Sequence, residues 1–126
     1  MTGRGEGQPP LGEGVDRGRR LFVEGLRLLE AGEHQGARRL FRRGSRRLRA
    51  PYDTMARLAQ ARLEVEAGRQ GMALRLLRSV VDSQADEALR QWAWMEIADL
   101  ARDRGRGELE REARQGIDAI GIAPGD

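Results

Sequence analysis

Glycine recurs at Gly32, Gly68 and Gly105, each where a helical pattern stops, at spacings of 36 and 37 residues. Ala37 and Ala73 follow the first two glycines by five residues, and Phe41 and Leu77 come four residues later, again 36 apart. A fixed period of this length, with a helix-forming segment on each side of a glycine, signals stacked helical hairpins. Each hairpin exposes an apolar face that only a neighbour can cover, so the units must stack. No period-two stretch bounded by turn signals occurs, and the spacing predicts an all-α chain.

Six helices are expected. The first runs from Asp16, a plausible N-cap, to Ala31, with Gly32 at a left-handed cap. The second covers Gln35 to Arg49 and is ended by Pro51, since the residue before proline disfavours helix. The third covers Asp53 to Ala67 and the fourth Gln70 to Val81. Ser83-Gln-Ala-Asp86 reads as a capping box opening the fifth, which stops near Gly105. The sixth carries Leu109, Ala113, Ile117 and Ile120. Residues 1–15 contain Gly3, Gly5, Gly7, Gly12 and Gly14 with Pro9 and Pro10, and are expected to form a disordered tail. The helical domain is then 16–122, and 123–126 a frayed end.

At these residues the chain resembles the tetratricopeptide repeat family. That family's pattern has a small residue seven before the turn glycine, a small residue five after it and an aromatic four later. Unit one offers Gly25, Gly32, Ala37, Phe41 and then Gly44; unit two offers Ala61, Gly68, Ala73 and Leu77. Unit three matches in its first helix, with Trp94, Ile97, Ala98 and Gly105. Its second helix departs, because Glu110 falls at the small-residue position and Leu109, Ala113 and Ile117 come one residue early. The resemblance covers about residues 18–120 and implies a right-handed α-solenoid of three helix-turn-helix hairpins.

The resemblance also implies a concave groove lined thirteen, ten, six and three residues before each turn glycine. Those positions hold Arg19, Phe22, Leu26 and Leu29; Met55, Leu58, Arg62 and Val65; and Trp92, Met95, Asp99 and Arg102. The Lys and Asn with which one subgroup of the family grips an acidic C-terminus are missing here. An apolar groove for an amphipathic helix or extended apolar peptide is therefore expected, and Met and aromatic residues suit such a surface. The competing reading is that this stripe is core, or is covered by the chain's own tail.

Charge is distributed unevenly. All 23 basic residues are arginine, which GC-rich codon usage alone can produce. Residues 1–81 carry 17 Arg and 9 acids, whereas residues 82–126 carry 6 Arg and 11 acids. Between Glu33 and Asp53 no acid occurs, yet Arg38, Arg39, Arg42, Arg43, Arg46, Arg47 and Arg49 do. Such a field suits an acidic protein surface or phosphates, and otherwise reads as a solvated helix back. The acidic C-terminal third could meet it in a second copy, so homo-oligomer formation is a further expectation. Exposed Ile117, Ile120 and Ile122 at the open end of the stack would favour association as well.

Enzymatic readings find little footing. Cysteine is absent and His34 is the only histidine, which leaves no zinc set and no triad. Ser45, Ser79 and Ser83 lack a nucleophile-elbow context. The expected function is a non-catalytic adaptor or scaffold of the cytoplasm, without cofactor or metal, binding a protein or peptide partner through the groove and the arginine-rich face. The alternative is an RNA-binding helical-hairpin protein that uses the arginine cluster, since pentatricopeptide repeats share a similar period. No apolar run approaches the roughly 20 residues of a membrane span.

Overall fold

A computed structural model describes residues 11–121 of the chain. Six α-helices and no strand occur among the described residues: α1 Leu11–Glu30, α2 His34–Arg47, α3 Tyr52–Glu66, α4 Gln70–Val81, α5 Glu87–Asp103 and α6 Gly107–Gly121. Helix α1 begins at Leu11, ahead of the expected Asp16, and so takes in part of the expected tail. The rest of that tail, the C-terminal end from 123 and Ile122 lie outside the described residues. Two compact units divide between Ala56 and Arg57, within α3.

The three glycine turns share one hydrogen-bond pattern. Gly32, Gly68 and Gly105 have φ of +79°, +81° and +67°, the left-handed region that a Cβ disfavours. The N–H groups of Glu33, Arg69 and Arg106 donate across each turn to the carbonyls of Leu28, Glu64 and Ala101, each at 2.8 Å. The N–H groups of Gly32, Gly68 and Gly105 donate to Leu29, Val65 and Arg102. This pairing satisfies the last carbonyls of one helix and reverses the chain into the next.

In the first unit α1 packs on α2. Ala37, Phe41 and Gly44 bury one face of α2, and the rings of Phe22 and Phe41 lie 5.6 Å apart. A Cβ at Gly25 would lie 2.5 Å from the Phe41 ring, one at Gly18 would meet Tyr52, and one at Gly44 would meet Leu48 and Ala56. Small residues at these positions are what let the helices approach.

The second unit has one core of Leu58, Ala61, Ala73, Leu77, Val80, Ala93, Ile97, Ala98, Leu100, Ala101, Leu109 and Ala113. Here α5 packs on both α4 and α6. The expected small residues Ala61, Ala73 and Ala98 are all buried in it. Three polar contacts of this unit join residues 34 apart: Arg62 with Glu96, Arg78 with Glu112, and Arg104 with Gln70. The first two each link a helix to the next but one, whereas Arg104, just past α5, reaches back to the start of α4.

Two details correct the sequence reading. The capping residue of α5 is Asp86, whose carboxylate accepts from the Ala88 N–H at 3.2 Å. Ser83 closes a turn instead, donating to the Val80 carbonyl and accepting from the Ala85 N–H. Helix α2 ends at Arg47 with the Leu48 N–H bonded to the Gly44 carbonyl, before the influence of Pro51 is reached.

Candidate functional site

Helix α5 positions the residues that best fit a docking surface. Its inner face, Ala93, Ile97, Ala98, Leu100 and Ala101, is buried, and this anchors the helix. The opposite stripe follows a spacing of four and three: Ala88, Trp92, Met95, Asp99 and Arg102 are all exposed. Trp92 is 48% and Met95 53% exposed, and as i,i+3 neighbours they form one patch.

The indole is held in place. Trp92 Nε1–H donates to Glu96 Oε2 at 3.3 Å, and Glu96 accepts from Arg62 Nη1 of α3 at 3.4 Å to each carboxylate oxygen. Arg62, Trp92, Met95 and Asp99 are thereby brought to one surface of the second unit. Towards the end of α5 the stripe turns from apolar to ionic. Arg102 bridges Asp99 at 3.3 Å and Glu110 of α6 at 3.4 Å, and Arg114 reaches Glu110 at 2.9 Å. The hydrogen bond from Arg114 acts most strongly on the Glu110 carboxyl; burial opposes it, and with the weaker bond from Arg102 the carboxyl stays below its ordinary pKa. Glu110 thus occupies its anomalous position as a surface ion-pair partner.

The remaining groove positions fare differently. Leu58 is 5% exposed within the core of the second unit, so it supports the fold and offers no surface, contrary to expectation. The cause is its place on the same face of α3 as Ala61, three residues on, which joins the buried cluster. Val65 is half-buried against the same core. In the first unit, Phe22 is half-buried between the rings of Phe41 and Tyr52, Leu29 and Met55 are half-buried, and Leu26 is exposed. Val23 and Met72 are exposed too, a feature with no distinguishing signal in the sequence. Ile117 and Ile120 of α6 are half-buried.

The arginine-rich segment lies on α2. Arg39, Arg42, Arg43, Arg46, Arg47 and the following Arg49 are exposed, and Arg38 is half-buried. His34 is an exposed first residue of that helix. A further small cavity of about 200 Å³ in the second unit has an apolar floor of Leu74, Leu100 and Leu109 and a rim of Gln70, Arg104 and Arg106. Among the described residues no three His, Asp or Glu side chains gather as a metal set, and no helix is long and apolar enough to cross a membrane. Comparison with protein families, with curated proteins and with solved structures finds no match to this chain.

Proposed function

We propose that this chain is a tetratricopeptide-like helical repeat module that acts without catalysis, as an adaptor whose second unit docks an amphipathic helix or apolar segment of a protein partner. Support for the repeat comes from three turns with one hydrogen-bond pattern and from contacts recurring at 34 residues. The observation that carries the docking reading is the Trp92–Met95 patch, with its indole oriented by Glu96 and Arg62. Large, oriented aromatic and thioether side chains offer contact area at low ordering cost, and anchors of this kind dominate binding energy. The ionic end of the stripe, Asp99 and Arg102, would set the partner's direction.

The test is affinity purification from the native cell, with and without nuclease and at two salt concentrations. The wild-type chain is compared with a Trp92→Ala/Met95→Ala variant. A protein retained after nuclease treatment by the wild type and lost by the variant is expected. An identical set of bound proteins for both would refute the docking surface.

A further inference from the structure

We infer that the exposed face of α2 is a binding surface for the phosphates of duplex DNA. The inference concerns the first unit and stands apart from the docking surface on α5.

The first argument is what the arginines lack. Among the described residues, Arg39, Arg42, Arg43, Arg46, Arg47 and Arg49 form no ion pair with any carboxylate. In the second unit five arginines, Arg62, Arg69, Arg78, Arg102 and Arg114, each hold a Glu or Asp. Codon bias would raise arginine content throughout, but it would not by itself gather five exposed arginines on one face of a helix that carries no acid. Like charges at i,i+4 repel, and the exposed arginines of α2 make three such pairs, Arg39–Arg43, Arg43–Arg47 and Arg42–Arg46, with no acid on the helix. A polyanion would relieve all three.

The second argument is geometric. At 3.6 residues per turn the five exposed arginines within α2, Arg39, Arg42, Arg43, Arg46 and Arg47, span an arc of about 140° and form two rows, with about 6 Å of rise between successive members. Two adjacent rows on one face of a helix suit the closely spaced phosphates that line a duplex groove. The major groove of B-form DNA, about 12 Å wide, admits a helix in that way, whereas the deep, narrow groove of A-form RNA does not. The buried face of α2, Ala37, Phe41 and Gly44, keeps the rows fixed in register.

The third argument is what the face contains besides arginine. The exposed residues of α2 are His34, Gln35 and the five arginines, with no apolar side chain among them. A protein interface needs an apolar anchor at its centre, and a single-strand binder needs aromatic platforms for its bases. Neither is present. Arginine neutralises phosphates whatever the base sequence, so a face built almost wholly of arginine positions a duplex chiefly through its backbone.

The experiment is anisotropy titration of a labelled duplex DNA across 50–200 mM salt, alongside duplex RNA, single-stranded DNA of equal length and poly-glutamate. Five phosphate contacts predict a slope of log K against log salt of about −4.5. The Arg39→Gln/Arg43→Gln/Arg47→Gln variant should lose about three units of that slope. Its melting temperature at low salt should stay level or rise, because two repulsive pairs are gone, and this shows that it folds. The Trp92→Ala/Met95→Ala variant should keep the wild-type slope, which separates this surface from the one on α5. No duplex binding at 50 mM salt, an unchanged slope in the arginine variant, or equal or tighter binding of duplex RNA, single strand or poly-glutamate would each overturn the inference.

Discussion

The Phe41 ring occupies the space that a side chain on Gly25 would fill: a Cβ there would sit 2.5 Å from two ring carbons. Phe41 is itself only 1% exposed and has no room to withdraw. Gly25→Ala should therefore destabilise by about 1–3 kcal/mol, an overpacking cost that outweighs the gain of about 0.5–1 kcal/mol from removing a helical glycine. Gly71 of α4 is the control, since nothing lies within 4 Å of its absent Cβ. Gly71→Ala should raise the denaturation midpoint slightly. Equal effects at the two glycines would contradict the packing.

Acid should loosen the second unit through a particular ion pair. Arg78 holds Glu112 of α6 through two hydrogen bonds of 3.1 Å, which keep that carboxyl below its ordinary pKa and raise Arg78. A folded-state pKa lowered in this way adds stability at pH values above the unfolded value of about 4.3, and that stability is lost as pH falls through the folded value. Glu110, lowered by Arg114 and Arg102, behaves with the same sign. The melting temperature should hold level from neutral pH to about pH 5 and then fall. The fall should be shallower in Glu112→Gln; curves of identical steepness would show that the pair contributes nothing. The effect is small, because both partners are partly solvated.

Capping of α5 discriminates between Asp86 and Ser83. Asp86→Ala should cost about 0.5–2 kcal/mol, and Asp86→Asn should recover most of it. Amide exchange at Ala88 should quicken in Asp86→Ala and stay unchanged in Ser83→Ala, since only Asp86 accepts that N–H. Faster exchange in the serine variant would restore the capping box read from the sequence.

The two tryptophans should report opposite environments. A Cβ at Gly116 of α6 would run into the Trp94 indole, so that ring lies tight against α6, whereas Trp92 stands in solvent. With Trp94→Phe, the remaining emission should be red-shifted and readily quenched by acrylamide; with Trp92→Phe, it should be bluer and protected. Trp92→Ala should change stability by no more than about 0.5 kcal/mol, as exposed substitutions do. Trp94→Ala should cost about 2 kcal/mol, less than a fully buried aromatic. Blue, protected emission from Trp92 would mean that its patch is already covered.

Much of the local structure is legible in residue order. The positive-φ turns follow from Gly32, Gly68 and Gly105, because steric exclusion around a Cβ acts within a few bonds. The buried set Ala37, Phe41, Ala61, Ala73, Leu77 and Ala98 follows from 3.6-residue periodicity. Helix ends are less legible. Ser83 and Asp86 both suit a cap, and the choice depends on where Val80 and Ala85 place their backbone groups.

Residue order by itself determined that this chain is helical, where its turns fall and which small residues sit between helices, since these depend on local sterics and period. Only the tertiary structure decided which apolar residues stay in water. Leu58 and Met95 occupy the same place before their turn glycines, yet Leu58 is buried in the core and Met95 is exposed. The same holds for charge: arginines 34 residues from an acid are neutralised in the second unit, and those of α2 keep their field. Exposure and pairing are properties of what lies opposite a side chain, and a linear pattern does not specify its neighbour across space.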